Sequence, residues 1–331
     1  MLWPGRHPFH EHALTALFLA TNGSRVVGRI GVCLNEQHNV FQGERMGFFG
    51  FFECEDDQAA ADALVGASRD WLLGQGMERM RGPFNWSTNE ACGLLIEGFD
   101  HPPMVLMTYN PPYYEALLET TGLTKIKDLF AFELFTTGPE PERVARIAAR
   151  AMQRAGITLR CMNMKRLIED AAVLRDIYNE AWKNNWGFVP MTSREFEHLA
   201  KDIRSVIDPR LILIAEHEGT PVAFTLSLPN VNHVLKHLNG RMFPFGFLKA
   251  LWYGRRIPEA RLITLGVKEG FRRRGIEAVL MLESFRQGHL AGYTHGEMGW
   301  VLENNELMIR DIEAMGGRRY KTYRIYETPL G

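Results

Sequence analysis

Apolar positions along this chain recur with two periods, and the switches between them mark out strands and helices. Residues 262–267 read as a strand, and Ile276, Val279, Leu280 and Phe285 then recur at helical spacing. Between them lies Phe271-Arg272-Arg273-Arg274-Gly275, a basic glycine turn that opens a helix. Upstream, Val144, Ile147, Ala148 and Met152 share one face of a helix expected over Glu142–Ala155. A strand at Ile157–Cys161 and a helix at Leu167–Trp182 follow, and Thr192-Ser193-Arg194-Glu195 has capping-box spacing and starts another helix. Strands at 211–217 and 221–228 complete the approach to the glycine turn.

The same order of elements runs faintly through the chain twice. Ala20-Thr21-Asn22-Gly23 with Val27-Gly28 parallels Ala215-Glu216-His217-Glu218-Gly219 with Val222-Ala223, each two strands around a polar turn. Ala61 to Leu64 with Gly76 parallels Glu277 to Leu280 with Gly292. Asn110, Gly122 and Phe130 to Glu133 parallel Asn304, Gly316 and Arg324 to Glu327. Inserts near 229–258 in the second copy and 85–103 in the first account for the uneven spacing. The division expected is 1–136 for a first copy, 137–156 for a linker and helix, and 157–331 for a second copy, with the breaker-rich Thr136-Thr137-Gly138-Pro139-Glu140-Pro141 at the join. The first copy begins at its second strand, either shortened or completed by packing from the second.

The 331 residues carry 38 basic and 39 acidic side chains, net −1, so no global charge favours nucleic acid or membrane. The four cysteines, Cys33, Cys54, Cys92 and Cys161, are dispersed, without zinc spacing, and read as reduced thiols. No metal site is expected. Residues 1–8 show no basic-then-apolar leader and no apolar run could span a bilayer, so the expected location is the cytoplasm.

The glycine turn carries the candidate chemistry. A helix N-terminus leaves its first N–H groups unpaired and partly positive, and suits a phosphate. Gly275 permits close backbone approach, and Arg272, Arg273 and Arg274 add formal charge. Further on, Trp300-Val301-Leu302-Glu303-Asn304-Asn305 is followed by Met308, Ile312, Met315-Gly316-Gly317 and a closing strand from Tyr320 to Tyr326. On both motifs and their order, the chain resembles the GNAT superfamily of acyl-CoA N-acyltransferases, well over 155–331 and weakly over 12–135. The resemblance implies an α/β (α+β) fold of two units, each a mixed, mostly antiparallel sheet flanked by helices. It implies acetyl-CoA or another acyl-CoA as co-substrate, held by Leu265, Gly266, Val267, Arg272, Arg273, Arg274, Gly275, Ile276, Asn304 and Asn305. The first copy has Glu53-Cys54-Glu55-Asp56-Asp57 where the second has arginines, and is expected to have lost CoA.

Departures from the family pattern leave the chemistry open. Glu277 stands where Gly or Ala is usual, and an outward orientation keeps the site free. The position usual for a Tyr general acid is Ile312, with Tyr320 and Tyr323 nearby in sequence. Glu259 and Glu303 are the candidate general bases for freeing an amine of its proton. Arg261 suits an acceptor carboxylate, while Trp186 and Phe188 suit an apolar or amphipathic acceptor. Asn85 to Glu90 with Cys92 reads as a polar loop at the sheet's split. The basic and aromatic insert with Lys236, Phe243-Pro244-Phe245, Lys249, Arg255 and Arg256 reads as a solvated lid, a cover for a long acyl chain or a membrane contact. The leading expectation is acyl transfer from CoA to a small amine or amino-acid-like acceptor between the copies. A CoA-binding scaffold without chemistry and a tRNA-dependent aminoacyl transferase are the alternatives, net charge arguing against the last.

Overall fold

In the computed structural model, which describes residues 2–3 and 5–331, the first copy comprises β1 (Ala13–Asn22), β2 (Arg25–Asn35), α1 (Glu36–Gln42), β3 (Met46–Cys54), α2 (Gln58–Gly74), β4 (Arg79–Gly82), β5 (Leu94–Glu97), α3 (Tyr114–Thr120) and β6 (Thr124–Phe135). The helix α4 (Glu142–Ala155) links it to β7 (Ile157–Cys161), α5 (Leu167–Trp182), α6 (Ser193–Ile203), β8 (Ile212–His217) and β9 (Thr220–Pro229). After these come α7 (Asn232–Leu238), α8 (Gly246–Gly254), β10 (Glu259–Val267), α9 (Ile276–Ala291), β11 (His295–Leu302), α10 (Glu306–Ala314) and β12 (Arg318–Pro329). Met1 and Pro4, within the stretch 1–8 read above for a leader, lie outside the described residues. Local signals explain several boundaries. The capping box of α6 forms, with Thr192 accepting from the Glu195 N–H and Glu195 reaching back. α9 runs from a left-handed Gly275 to a left-handed Gly292.

Among the described residues all twelve strands form one sheet, ordered β1-β2-β3-β4-β12-β6-β11-β10-β9-β8-β7, with β5 pairing off β12. Every neighbouring pair is antiparallel except β3–β4 and β10–β11. The two copies therefore mirror one another in topology, but their last strands are exchanged. β6, closing the first copy, pairs β11 of the second, while β12, closing the second, pairs β4 of the first. β6 and β12 then pair with each other at the centre. The cores follow the exchange: Tyr326 of β12 packs with Val27, Phe49 and Leu64, and Phe132 and Leu134 of β6 pack with Val279, Phe285 and Met298. The break in sequence falls between β6 and α4, but in space neither copy is complete without the other's final strand. Among the described residues β1 ends the sheet, and no strand of the second copy pairs with its outer edge.

Candidate active site

β10 and β11 pair in parallel only from Glu259↔His295 to Leu262↔Met298. Beyond that they part, and the gap widens into a cleft of ≈ 890 Å³ walled by β10, β11, α4, α9 and α10. From Thr264 to Val267, β10 bonds β9 on one side and faces the cleft on the other, presenting an unpaired strand edge. At one end sits the start of α9, where Gly275 (φ +81°) makes no side-chain cap bond. A Cβ there would lie 3.0 Å from the Ala151 methyl of α4, so the turn needs glycine for both its dihedral and its clearance. Uncapped amides, an open strand edge and lining arginines (Arg143, Arg272, Arg273, Arg310) make the cleft suited to an extended anionic ligand bearing amides.

Most of the expected cofactor contacts meet here. Leu265, Gly266, Val267, Arg272, Arg273, Gly275 and Asn305 line the cleft. Ile276 is fully buried and offers only its backbone, and Asn304 and Arg274 stand outside the lining residues. The Arg272 guanidinium turns inward and donates to the carbonyls of Val267 (3.3 Å) and Ala181, fastening α5 to the end of β10. Arg274 lies over the Phe271 ring, 4.9 Å from its centroid. Asn305 caps α10 by accepting from the Met308 N–H. Glu277 corrects the expectation of an outward side chain, for it lines the cleft. Burial raises its carboxyl above the ordinary range, while the N–H groups of Glu277 itself and Arg273 favour its charge. An uncapped helix start attracts a first-turn acid, and the side chain folds back over it.

The expected catalytic residues scatter, whereas the acceptor candidates Trp186, Phe188 and Arg261 all line a second cavity. Glu259 accepts from Asn230 Nδ2 (2.5 Å), and contact with His295 leads the influences holding it below the ordinary carboxyl range. Glu303 pairs with Lys125 at 2.8 Å. Neither lines the cleft. Arg261, 1% exposed, donates to Glu297 (3.3 Å), Val105 O (2.8 Å) and Gly299 O (2.9 Å), so its guanidinium is already satisfied by protein. Tyr320 donates to Glu297 (3.3 Å) and Tyr323 is buried against Met107, both away from the cleft. Among the described residues no group of three or more His, Cys, Asp or Glu could hold a metal.

Behind the cleft lies a second, apolar chamber of ≈ 200 Å³. α5, α6 and the segment after α5 supply Tyr178, Trp186, Phe188 and Phe196, and the first copy supplies residues 88–92 and Leu106. The walls are stitched across the copies, Thr88 donating to Gly187 O (2.9 Å), Gln42 to Phe188 O (2.6 Å) and Tyr178 to Asn89 Oδ1 (2.7 Å). Trp186 also lies beneath the Arg81 guanidinium, 5.0 Å from its ring centroid. Cleft and chamber share Trp182, Asn185, Ile263, Thr264, Trp300 and Leu302, so they meet back to back at the strand split. Two polar atoms at that meeting, Thr264 Oγ1 and Trp300 Nε1, are buried without a hydrogen-bond partner. Buried orphan donors are uncommon and call for an explanation.

The chamber also contains the carboxyl that sequence reasoning passed over. Glu90 is raised to about 7 by burial, with the Glu195 charge adding to the effect, yet a quarter of its side chain stays accessible. A carboxyl poised near neutrality inside a cavity is suited to moving a proton. Nothing near Glu90 in sequence marks it, because its surroundings come from α6 and α5, far along the chain. Burial pushes the neighbouring Cys92 thiol up to about 12, so it stays protonated and is no nucleophile.

No family model matches the chain. It is 40% identical over 336 residues, 99% of its length and 87% of the other's, to a protein named bacterial ceramide synthase from Caulobacter vibrioides. It is 35% identical over 335 residues, 98% of its length and 85% of the other's, to the protein YghO of Escherichia coli. Among solved structures it is similar to a tandem GNAT protein from the clavulanic acid biosynthesis pathway, with TM-score 0.58 and 12% identity over 98% of this chain and 85% of that one. The exchanged pair of units is thus the GNAT fold in tandem.

Proposed function

The chain belongs to one family with the bacterial ceramide synthase and YghO, and from that premise we propose that it is an acyl-CoA-dependent N-acyltransferase whose acceptor is a long-chain amine. A ceramide is the amide of a long-chain amino alcohol and a fatty acid, so the relative's name agrees in chemistry with the two cavities. The observation that carries the reading is their junction. An open, basic cleft and an apolar chamber meet at Thr264 and Trp300, whose polar atoms lack partners.

With the Glu277 carboxylate displaced from them, the amides at the start of α9, with Arg273, would hold the CoA diphosphate, and the free edge of β10 would bond the amides of its arm as an added strand. The amine would enter from the chamber, its chain against Phe188, Phe196 and Trp186. Glu90 removes the ammonium proton, since only a neutral amine has the lone pair for attack on the thioester carbonyl. Trp300 Nε1 and Thr264 Oγ1 donate to the carbonyl oxygen as it gains charge, which explains their missing partners. The C–N bond forms, the C–S bond breaks, and the nitrogen's second proton passes to the departing thiolate, so that the amide and the CoA thiol are the products.

Thiol release tests the reading directly, with acyl-CoAs of rising chain length and amines from ethanolamine to long-chain amino alcohols. Turnover should favour the long-chain amines. Release equal to the amine-free blank throughout, or a preference for short hydrophilic amines, rules the proposal out.

A further inference from the structure

The insert between β9 and β10 is the least explained surface of the molecule. Among the described residues 24 large apolar side chains are exposed, and eight of them fall between residues 235 and 252, so this is a patch and not scatter. The most prominent are Phe243 (83%), Phe245, Phe247, Leu248, Leu251 and Trp252. They are not needed for the insert's own packing. α7 and α8 close on each other through Val234, Leu238 and the His237–Tyr253 rings, stacked at 3.8 Å. The charge is as lopsided as the apolarity. Residues 231–258 hold Lys236, Arg241, Lys249, Arg255 and Arg256 and no Asp or Glu, in a chain of net −1. Arg256 lies over the Trp252 ring, 4.2 Å from its centroid, placing cation and aromatic on one surface.

We propose that α7 and α8 dock this protein on the surface of an anionic phospholipid bilayer, aromatic side chains entering the headgroup boundary and the five cations facing lipid phosphates. Neither helix is long and apolar enough to cross a membrane, and short amphipathic helices with aromatic and basic faces lie in the interface plane. A protein partner would need acids to match the cations and an apolar face to match the rings, whereas an anionic bilayer offers both everywhere. The surface adjoins the proposed acceptor route. Asn232, first residue of α7, donates to the carbonyls of Pro103 (3.0 Å) and Met104 (3.1 Å), and Arg261 holds the next carbonyl, Val105. The following residue, Leu106, walls the chamber and is exposed on its outer side. Docking would bring that wall to the membrane, where a long-chain amine resides. The purpose so assigned rests on the proposed acceptor, but the docking itself does not.

Flotation of the full chain with vesicles tests it without any turnover. Wild type should float with phosphatidylglycerol–phosphatidylethanolamine vesicles, weaken as salt rises, and stay down with pure phosphatidylcholine. Replacing Lys249, Arg255 and Arg256 by Gln should lower the partition coefficient roughly 100-fold, each basic side chain being worth about a fivefold factor near an anionic surface. The F243S, F245S and W252S combination should abolish flotation, with thermal unfolding unchanged because all three are exposed. Equal flotation on both lipid types, no flotation of wild type, or variants that float like wild type would overturn the proposal. So would a wild-type dimer that the aromatic variant dissociates while vesicles go unbound. Flotation without acyl transfer would sink only the enzymatic reading, and transfer to soluble amines without flotation only this one.

Discussion

The two strand splits of this molecule have the same pairing and opposite contents. In the first copy β3 and β4 run parallel from Met46↔Arg79 to Phe48↔Arg81 and then part, as β10 and β11 do. There the gap is packed with protein. The Phe84 N–H donates to Phe49 O (2.7 Å), Asn85 Oδ1 accepts from the Phe51 N–H (2.9 Å), and Phe84 and Trp86 are buried. Gly50 has no room for a Cβ against the Phe84 carbonyl. The helix that follows is sealed as well, Asp57 Oδ1 accepting from the amides of Ala59 (2.9 Å) and Ala60 (3.3 Å). In the second copy the equivalent helix starts on a glycine without a side-chain cap, above a cleft of ≈ 890 Å³. One fold thus becomes a filled wall or an open site through a few residues at the split. The filled copy is not idle, because the loop that plugs it continues into Glu90 and the chamber of the other.

That division predicts its largest effect at Glu90. If the plugged copy supplies the base, Glu90→Gln should lower turnover by about 10² to 10⁴. The sign of the pH dependence follows from the raised carboxyl. The base works when ionised, so wild-type kcat/KM should climb as pH rises through about 7, and that limb should vanish in the variant. An unchanged rate and profile would separate the copies functionally and break the comparison. Next comes an exchange of caps. Gly275→Asp places a carboxylate beside the proposed diphosphate, costing on the order of 4 kcal/mol at ~4 Å and an effective dielectric near 20, or roughly a thousandfold in affinity, and Gly275→Asn, which strains the same turn without the charge, should cost less. Asp57→Ala should lower stability by about 1 kcal/mol and leave binding alone. Thermal shift with and without CoA reads both, since saturation at about 100 times Kd adds ~2.7 kcal/mol to wild type.

How much of this was legible in sequence follows from the range of each signal. The helices α4 and α5, the strand β7 and the capping box of α6 stand where apolar spacing and cap residues put them, because such signals act within a few residues. The glycine turn was legible for the same reason, Gly275 being needed by its own dihedral. The strand exchange was not, since period two specifies a strand but not its partner, and β6 and β12 could each have closed their own copy. Glu90 was equally hidden. Its local string is a polar loop, and the burial that raises it comes from a chain segment about a hundred residues away. Proximity in sequence misled in the other direction at Tyr320 and Tyr323, which pack with Leu95 and Leu129 and do not line the cleft. Arg272 was read as an anion contact from its charge, while within the fold it donates to the carbonyls of Val267 and Ala181.

The floors of the two splits differ too. At the first, Phe48 meets Phe84 edge to face, 5.5 Å between centroids; at the second, Arg261 (1% exposed) pairs with Glu297 (0%) across the parallel register. Burial raises Glu297 above the usual carboxyl range, against the pull of Arg261. Arg261→Ala should lower unfolding free energy by about 3–5 kcal/mol by leaving a buried charge unpaired, and Arg261→Met with Glu297→Leu should recover most of it. If the single change is mild, the charged floor is not structural, and Arg261 returns as an acceptor contact. A smaller effect is expected at Glu277, whose carboxylate covers amides that Asp57 covers permanently in the first copy. Glu277→Gln should tighten CoA binding roughly fivefold, about 1 kcal/mol, measured by calorimetric titration. Unaltered affinity would mean that the side chain swings clear at no cost.

The smallest expected effect concerns how the filled copy is held against the open one. His12 Nε2 meets Glu195 Oε1 at 3.1 Å, joining the chain before β1 to the capping box of α6. Burial opposes the charge on both groups and is the largest single influence on each. Their mutual hydrogen bond and attraction outweigh it, raising His12 above its ordinary 6.5 and holding Glu195 below its ordinary 4.5. The His12 contribution is therefore complete below pH 6.5 and lost as pH rises through the raised value. The Glu195 contribution is complete above pH 4.5 and lost as pH falls through the lowered one. Between these limits the contact should be worth roughly 1 kcal/mol. The stability difference between wild type and His12→Gln, from denaturant unfolding, should be greatest between the ordinary values of 4.5 and 6.5 and shrink in alkaline buffer. A difference that stays constant with pH would mean that the two copies are held by packing and the exchanged strands alone.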